Sequence, residues 1–340
     1  MNDVTSLVAA YGLEPLNMDR ISENVFRIHT HHGTFALKKS KYDTQQNREW
    51  ERIVHWLDHH SFSIAPPITK TRNGQSFVST NGALYYMTPW VEHTRDNYPS
   101  HDIESFYYSV GNLHKQTKNY HSVPDIWHSY RGRREASEQI HERLLARIES
   151  FERRHFTSPF GLAVCSQYRD LHYSLEMMKD FSNELPEQST KEQKIPIVVC
   201  HGNLRNSHII QYYGQSYFIN WERMHTGLPH HDLQRFFMHD FRYHDSPVDD
   251  YMNKFHIYER IYGFTNEERL QLAINLVDTE HYLKRIERLM ANERISELEK
   301  VQRLATSHRR VIYSRVAAEA LFDTFTSQQL AEEEKEMDET

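Results

Sequence analysis

The sequence predicts an α+β chain built in two lobes, a small β-rich one followed by a larger helical one. Three observations lead there. Two hairpin signals fall within residues 1–88. A proline-bounded connector, Pro89 to Pro99, follows them. From residue 102 onward long helical patterns dominate, and glycine is scarce at 11 of 340 residues, below the usual ~7%.

The elements follow in order. Val25-Phe26-Arg27-Ile28-His29 and Thr34-Phe35-Ala36-Leu37-Lys38 flank the turn signal His31-His32-Gly33, which predicts the first hairpin. Residues 45–58 place Trp50, Ile53, Val54 and Leu57 on one helical face. Pro66-Pro67 closes that region, and Asn81-Gly82 predicts a second hairpin between Phe77-Val78-Ser79 and Ala83 to Met87. Residues 133–154 set Ala136, Ile140, Leu144, Ile148 and Phe151 at three- and four-residue spacing among charges, an amphipathic helix with a solvated face. Thr265-Asn266-Glu267-Glu268 is a capping box that opens the apolar run Leu270 to Val277. Residues 295–323 also read as helix. No internal repeat is visible. The domains are therefore set at 1–88, a hinge at 89–99, a helical lobe at 100–326 and an acidic tail at 327–340 that is expected to be disordered.

Composition excludes several classes. The last ten residues hold six acids and one lysine, so they carry most of the net charge of −7. No basic stripe marks a nucleic-acid footprint. Two cysteines, Cys165 and Cys200, form no framework, which points to a reducing compartment. The first fifteen residues lack the basic start and apolar core of a signal peptide. No apolar run approaches the ~20 residues of a membrane helix. The expected setting is therefore cytosolic synthesis of a chain that binds neither nucleic acid nor membrane. Histidine is abundant at 24. The His29, His31 and His32 group and the His230-His231-Asp232 turn read as solvated surface residues, because a metal site needs three or four converging ligands.

One late stretch breaks the helical pattern. Val198-Val199-Cys200-His201-Gly202 reads as a buried strand entering a turn, and Tyr217-Phe218-Ile219-Asn220-Trp221 as a second strand. Strand, loop and strand bring residues 203, 208 and 220 to one cleft. Phosphoryl transfer needs a cation on the phosphates, carboxylates for magnesium and a base for the acceptor hydroxyl. Lys38, at the end of its strand, suits the first role, with Glu49 or Glu51 as its helix partner. The other two roles lack their carboxylates.

The runs ISENVFRIHTHHGTFALKK, YYMTPWVE, GNLHKQT, HGNLRNSHII, FINWE and GLPHHDLQRFF resemble, in order, the aminoglycoside phosphotransferase and choline-kinase-like group. The resemblance spans residues 5–325. Within that group the chain is most similar to the spore-coat-associated kinase-like proteins of Bacillus relatives. The resemblance implies a protein-kinase-like bilobal fold. It places Lys38 as the phosphate-binding lysine, Glu49 or Glu51 as its partner, and Met87 to Glu92 as the hinge that holds adenine. Asn203 stands in place of the catalytic aspartate, His208 in place of a metal-binding asparagine and Asn220 in place of a metal-binding aspartate. Asp232 matches a structural aspartate.

An amide keeps the shape of a carboxylate and cannot take up a proton near neutral pH. Magnesium is held through carboxylates. The implied function is thus a pseudokinase, structural or regulatory in the spore coat, with other coat proteins as partners. No cofactor is expected; ATP and magnesium enter only with residual nucleotide binding, and a small molecule is the other candidate for the cleft. Two alternatives stand beside it: an active ATP-dependent small-molecule kinase with altered metal use, and a nucleotide- or metabolite-sensing module.

Overall fold

The computed structural model describes residues 2–40, 44–59, 65–80, 82–91, 103–123, 128–185, 193–212 and 215–338. The chain forms two compact units, and each is discontinuous in sequence: residues 1–109 with 199–226, and residues 110–198 with 227–340. The expected boundary at residue 88 therefore misses one feature. The segment that carries Asn203 and Asn220 belongs with the β-rich unit.

The first unit opens with helix α1 (Asn2–Ala10) and strands β1 (Pro15–Arg20), β2 (Val25–Thr30) and β3 (Gly33–Ser40). Helix α2 (Thr44–His59) and strands β4 (Val78–Thr80) and β5 (Ala83–Pro89) follow. The strands form one antiparallel sheet in the order β1-β2-β3-β5-β4. Both expected hairpins are present, with Gly33 at φ +119° and Gly82 at φ +67° where the turns need left-handed backbone. Asn81 lies outside the described residues.

Strand alternation then sorts the side chains to two faces. Leu37 pairs with Met87, and both are fully buried with Ile28 against Leu7, Val8 and Tyr11 of α1 and its exit. One residue along, Lys38 pairs with Tyr86 and takes the opposite face. On α2, Trp50, Ile53, Val54 and Leu57 are all buried, as their spacing predicts.

Helix α3 (Ile103–Thr117) leads into the second unit. There β6 (Asn119–Val123) is followed by α4 (His128–Glu152), α5 (Pro159–Ser166) and α6 (Tyr168–Asn183). Strand β7 (Gln193–Cys200) pairs antiparallel with β6 and carries the chain back to the first unit. That unit then adds the hairpin of β8 (Ile209–Tyr212) and β9 (Gln215–Phe218), and β10 (His225–Gly227) returns the chain. Five helices complete the second unit: α7 (Pro229–Asp240), α8 (Val248–Tyr262), α9 (Asn266–Val277), α10 (Glu280–Ala291) and α11 (Glu297–Asp338).

The core of the second unit follows the predicted stripes. Leu144, Ile148 and Phe151 of α4 pack with Tyr282 and Ile286 of α10 and with Leu304 and Val311 of α11. The Thr265 capping box forms in both directions at the start of α9. No helix among the described residues is long and apolar enough to cross a membrane.

Two expectations are corrected here. The tail from 327, expected as disordered, continues α11 as helix through Asp338. Its residues are mostly Ala, Glu, Lys, Leu and Met, all good helix formers, with no glycine or proline to stop propagation. His230, expected as a solvated turn residue, is fully buried in the first turn of α7, where Tyr130 Oη lies 2.8 Å from its Nε2. Burial and the neighbouring His231 push its pKa well down. His31 and His32 are exposed as expected, while His29 is half-buried and meets Asp19 at 3.2 Å.

Candidate functional site

The site is built by residues 199–226 of the first unit, a turn and the strand hairpin that follows it. Strand β7 ends at Cys200; His201 follows, fully buried, and the chain reverses at Gly202 with φ +71°. A Cβ at position 202 would sit 2.0 Å from the Arg223 carbonyl oxygen, so only glycine fits. His201 Nε2 donates to the Ile219 carbonyl at 2.9 Å, and its Nδ1 then accepts from the Asn203 backbone N–H at 3.2 Å. One imidazole thereby ties the first strand to the second.

His208 closes the loop in the same way. Its Nδ1 donates to the Asn203 carbonyl at 2.8 Å, and its own carbonyl accepts from the Ile219 N–H at 2.8 Å. Burial, with His201 nearby, pushes the His208 pKa down to about 4, so the ring is neutral at pH 7. The Asn203 side chain is also engaged: its Oδ1 accepts from Arg205 Nε at 3.1 Å. Asn203 and His208 are thus tied to each other and, through Ile219, to the strand end that carries Asn220, whose side chain turns to Lys38 instead.

Asn220 adopts left-handed backbone, φ 68° and ψ 51°, and it is the sole non-glycine residue with positive φ among the described residues. Asparagine and aspartate tolerate this conformation better than other residues. Its amide oxygen accepts from Lys38 Nζ at 2.6 Å. Lys38 is buried, and loss of hydration pushes its pKa down, with Glu222 opposing.

Tyr86, opposite Lys38 in the sheet, donates to Glu222 Oε1 at 2.5 Å. Trp50 packs against Tyr86 with the rings tilted and their centres 5.3 Å apart, and donates from Nε1 to the Trp221 carbonyl at 3.1 Å. Of these groups, Lys38, Asn220, Tyr86 and Trp221 border a cavity of about 310 Å³. Lys38, Tyr86, Thr88 and Asn220 give it polar groups, while Val54, Leu57, Pro66, Ile219, Trp221 and Met224 make much of the wall apolar.

Several expected residues fall elsewhere. Met87 is fully buried on the opposite sheet face, so its side chain cannot line the cavity; Tyr86 and Thr88 do so instead. Asn203 and His208 do not line the cavity. Glu51 is exposed, and Lys38 takes Asn220 as its partner. The side chain of Glu49, and all of Glu92, lie outside the described residues. Three contributors went unread in the sequence: Tyr86, Trp221 and Glu222. The acid two places after Asn220 was legible as spacing, whereas Tyr86 depends on strand register.

The donor set at positions 203, 208 and 220 is amide, imidazole, amide. It supplies no carboxylate, so these three side chains do not match magnesium, a hard cation that favours charged oxygen. Glu222 is the carboxylate beside them.

In the second unit Asp232 is buried in the first turn of α7. Its Oδ2 lies 3.4 Å from His114 Nε2, and His114 Nδ1 meets Tyr258 Oη at 2.8 Å. This all-buried chain joins three helices, the structural part that the resemblance implies for Asp232.

Comparison with known proteins places this geometry. The fold matches an aminoglycoside phosphotransferase from Alicyclobacillus acidocaldarius with a TM-score of 0.70 at 14% identity, covering 95% of this chain and 96% of that one. A spectinomycin phosphotransferase solved with ADP and spectinomycin matches at 0.59 and 13%, covering 94% and 98%. An amicoumacin kinase solved with AMP-PNP and calcium matches at 0.52 and 11%, covering 87% of each chain. No curated protein matches the sequence. The model of the phosphotransferase enzyme family matches residues 12–265, and on that span the chain belongs to this family.

Proposed function

We propose that the chain is a pseudokinase, a phosphotransferase-family scaffold that keeps a ligand pocket beside Lys38 and lacks efficient phosphoryl transfer. The observation that carries this reading is the hydrogen bond from Lys38 to Asn220. The lysine holds a neutral amide at the position where the reaction asks for a carboxylate on a metal. Asn203 cannot serve as a base, and loss of a general base costs ~10²–10⁴ in rate. His208 brings no charge at neutral pH.

The role that fits such a scaffold is structural or regulatory. Its setting is the endospore coat, with other coat proteins as partners, and that setting is supported by the ordered motif resemblance alone. Nucleotide sensing is a variant of the same reading, in which ATP enters the pocket without metal.

A second reading is favoured by one observation. Glu222 offers a carboxylate two residues from Asn220, beside Lys38. An active small-molecule kinase would hold its cation there.

Single-turnover assays with Mg·ATP and Mn·ATP against a panel of amino alcohols decide between the two. No transfer is expected from the parent chain, and transfer to any acceptor would overturn the pseudokinase reading. Thermal shift with ATP, with and without metal, and with Lys38→Ala as control, tests the sensing variant. Its signature is a metal-independent rise in Tm that Lys38→Ala abolishes.

A further inference from the structure

The second unit holds a group of basic side chains that its carboxylates do not answer. Arg242 follows α7, His281 and Arg285 lie one turn apart on α10, and Arg309 and Arg310 sit midway along α11. Their charges act on one another: Arg285 and Arg310 on His281, and Arg242 and Arg285 on Arg310. Tyr282 and Ile286, the neighbours of His281 and Arg285, are buried in the same cluster as Val311, the neighbour of Arg310.

Two of the arginines have a structural task. Arg242 Nε donates to the His239 carbonyl at 2.8 Å. Arg309 donates to the Arg242 carbonyl and also meets His244 Nε2. Both satisfy carbonyls at or beyond the C-terminal end of α7, where the helix dipole favours cations.

Arg285 and Arg310 have no such task. Neither makes a hydrogen bond or ion pair among the described residues, and Arg310 Nε is sealed from solvent without a partner. His281 donates from Nδ1 to the Asp278 carbonyl at 2.9 Å, which leaves its Nε2 as a bare acceptor, also sealed and unpartnered. The nearby acids are engaged elsewhere: Asp278 with Arg133, Glu280 with Arg143 and Lys284, and Glu287 with Arg143 and Arg147. Burial, with Arg242 and Arg285 nearby, pushes the Arg310 pKa down to about 10, against a smaller opposing effect from Tyr243. The field at Arg310 is therefore positive. A half-buried guanidinium in a like-charged setting is unfavourable until a counter-charge arrives. Its planar fork of donors matches an oxyanion.

We propose that Arg285, Arg310 and His281 form a binding site for a phosphate-class oxyanion that also carries a hydroxyl. Hydrogen phosphate meets both demands: its charged oxygens take the two guanidinium groups and its O–H donates to His281 Nε2. Sulfate carries no proton at pH 7 and leaves that acceptor bare. A phosphomonoester dianion lacks the hydroxyl as well. Free inorganic phosphate is thereby favoured over a phosphoryl group on a larger molecule.

Isothermal titration of the full chain with inorganic phosphate, sulfate and methyl phosphate, a monoester without a hydroxyl, at constant ionic strength tests this. Saturable phosphate binding is expected, roughly 10-fold tighter than sulfate for the lost hydrogen bond. Binding disappears in Arg285→Gln/Arg310→Gln. Without phosphate this variant melts at or above the parent temperature, because like charges have been removed, and Arg310→Gln alone serves if the double variant fails to fold. Absence of saturable binding, equal binding by the variants, or equal affinity for sulfate or the monoester each overturns the proposal.

Discussion

Lys38 is a buried cation whose nearest acceptor is neutral, and that combination sets what its removal should do. The bond to Asn220 stabilises the lysine, while burial of the charge opposes it. Lys38→Met keeps the length and removes the charge, so stability should change by no more than about 1 kcal/mol, read from denaturant melts. A loss of several kcal/mol would show that the Lys38–Asn220 bond holds the unit together. His208 gives a pH signature. Its folded pKa of about 4 lies below the ordinary 6.5, so between these values the unfolded chain binds more protons. Stability contributed by the neutral ring is present above pH 6.5 and is lost as pH falls towards 4, by about 2–3 kcal/mol. His208→Asn should flatten that part of the stability profile, and an unchanged slope would contradict the burial argument. At this scale the sequence was half legible. The spacing announced a loop between two strands, and Asn203 and His208 close that loop, while Asn220 alone of the three faces the cavity. The lysine's partner was not legible, because the contact depends on left-handed backbone at Asn220 that no local pattern prescribes.

Among the elements, the reversal at Gly202 and the start of α9 carry the sharpest expectations. Gly202→Ala combines positive φ with a Cβ placed against the Arg223 carbonyl, so a loss of about 3 kcal/mol or more is expected. Thr265→Ala removes one half of the capping box and should cost about 1 kcal/mol. Thermal melts of the two variants give the comparison, and a Thr265→Ala loss as large as that of Gly202→Ala would contradict the ranking. Both hairpins, α2 and the α9 cap were readable because turn residues and apolar spacing act locally. Which strand residues face the cavity was not. A shift of one residue moves a strand side chain to the other face: of the span read from Met87 onward Thr88 lines the cavity and Met87 does not, while Tyr86, one residue before it, does.

For the molecule as a whole, the β-rich unit is completed by chain that arrives about a hundred residues later. Trp50 to Trp221, Lys38 to Asn220, Tyr86 to Glu222 and Phe106 against Phe218 all join the two pieces. A fragment of residues 1–109 should therefore lack a cooperative melt by circular dichroism, and adding residues 199–226 through a flexible linker should restore it. A cooperative transition in the short fragment would show that the sheet and α2 suffice. The sequence revealed the order of the lobes through the change from hairpins to helical spacing. It did not reveal that the later segment joins the first unit, since pairing over such a separation leaves no periodic trace.

The cavity also comes with its own optical probe. Trp221 lines it with only 6% of its surface exposed, and Trp50 is bound to the Trp221 carbonyl behind it. Two of the five indoles in the chain thus report on one small volume. Their fluorescence should be blue-shifted in the empty protein and should be quenched or shifted when something enters. A library of compounds can then be screened by emission alone, with no substrate in hand and no reaction to follow.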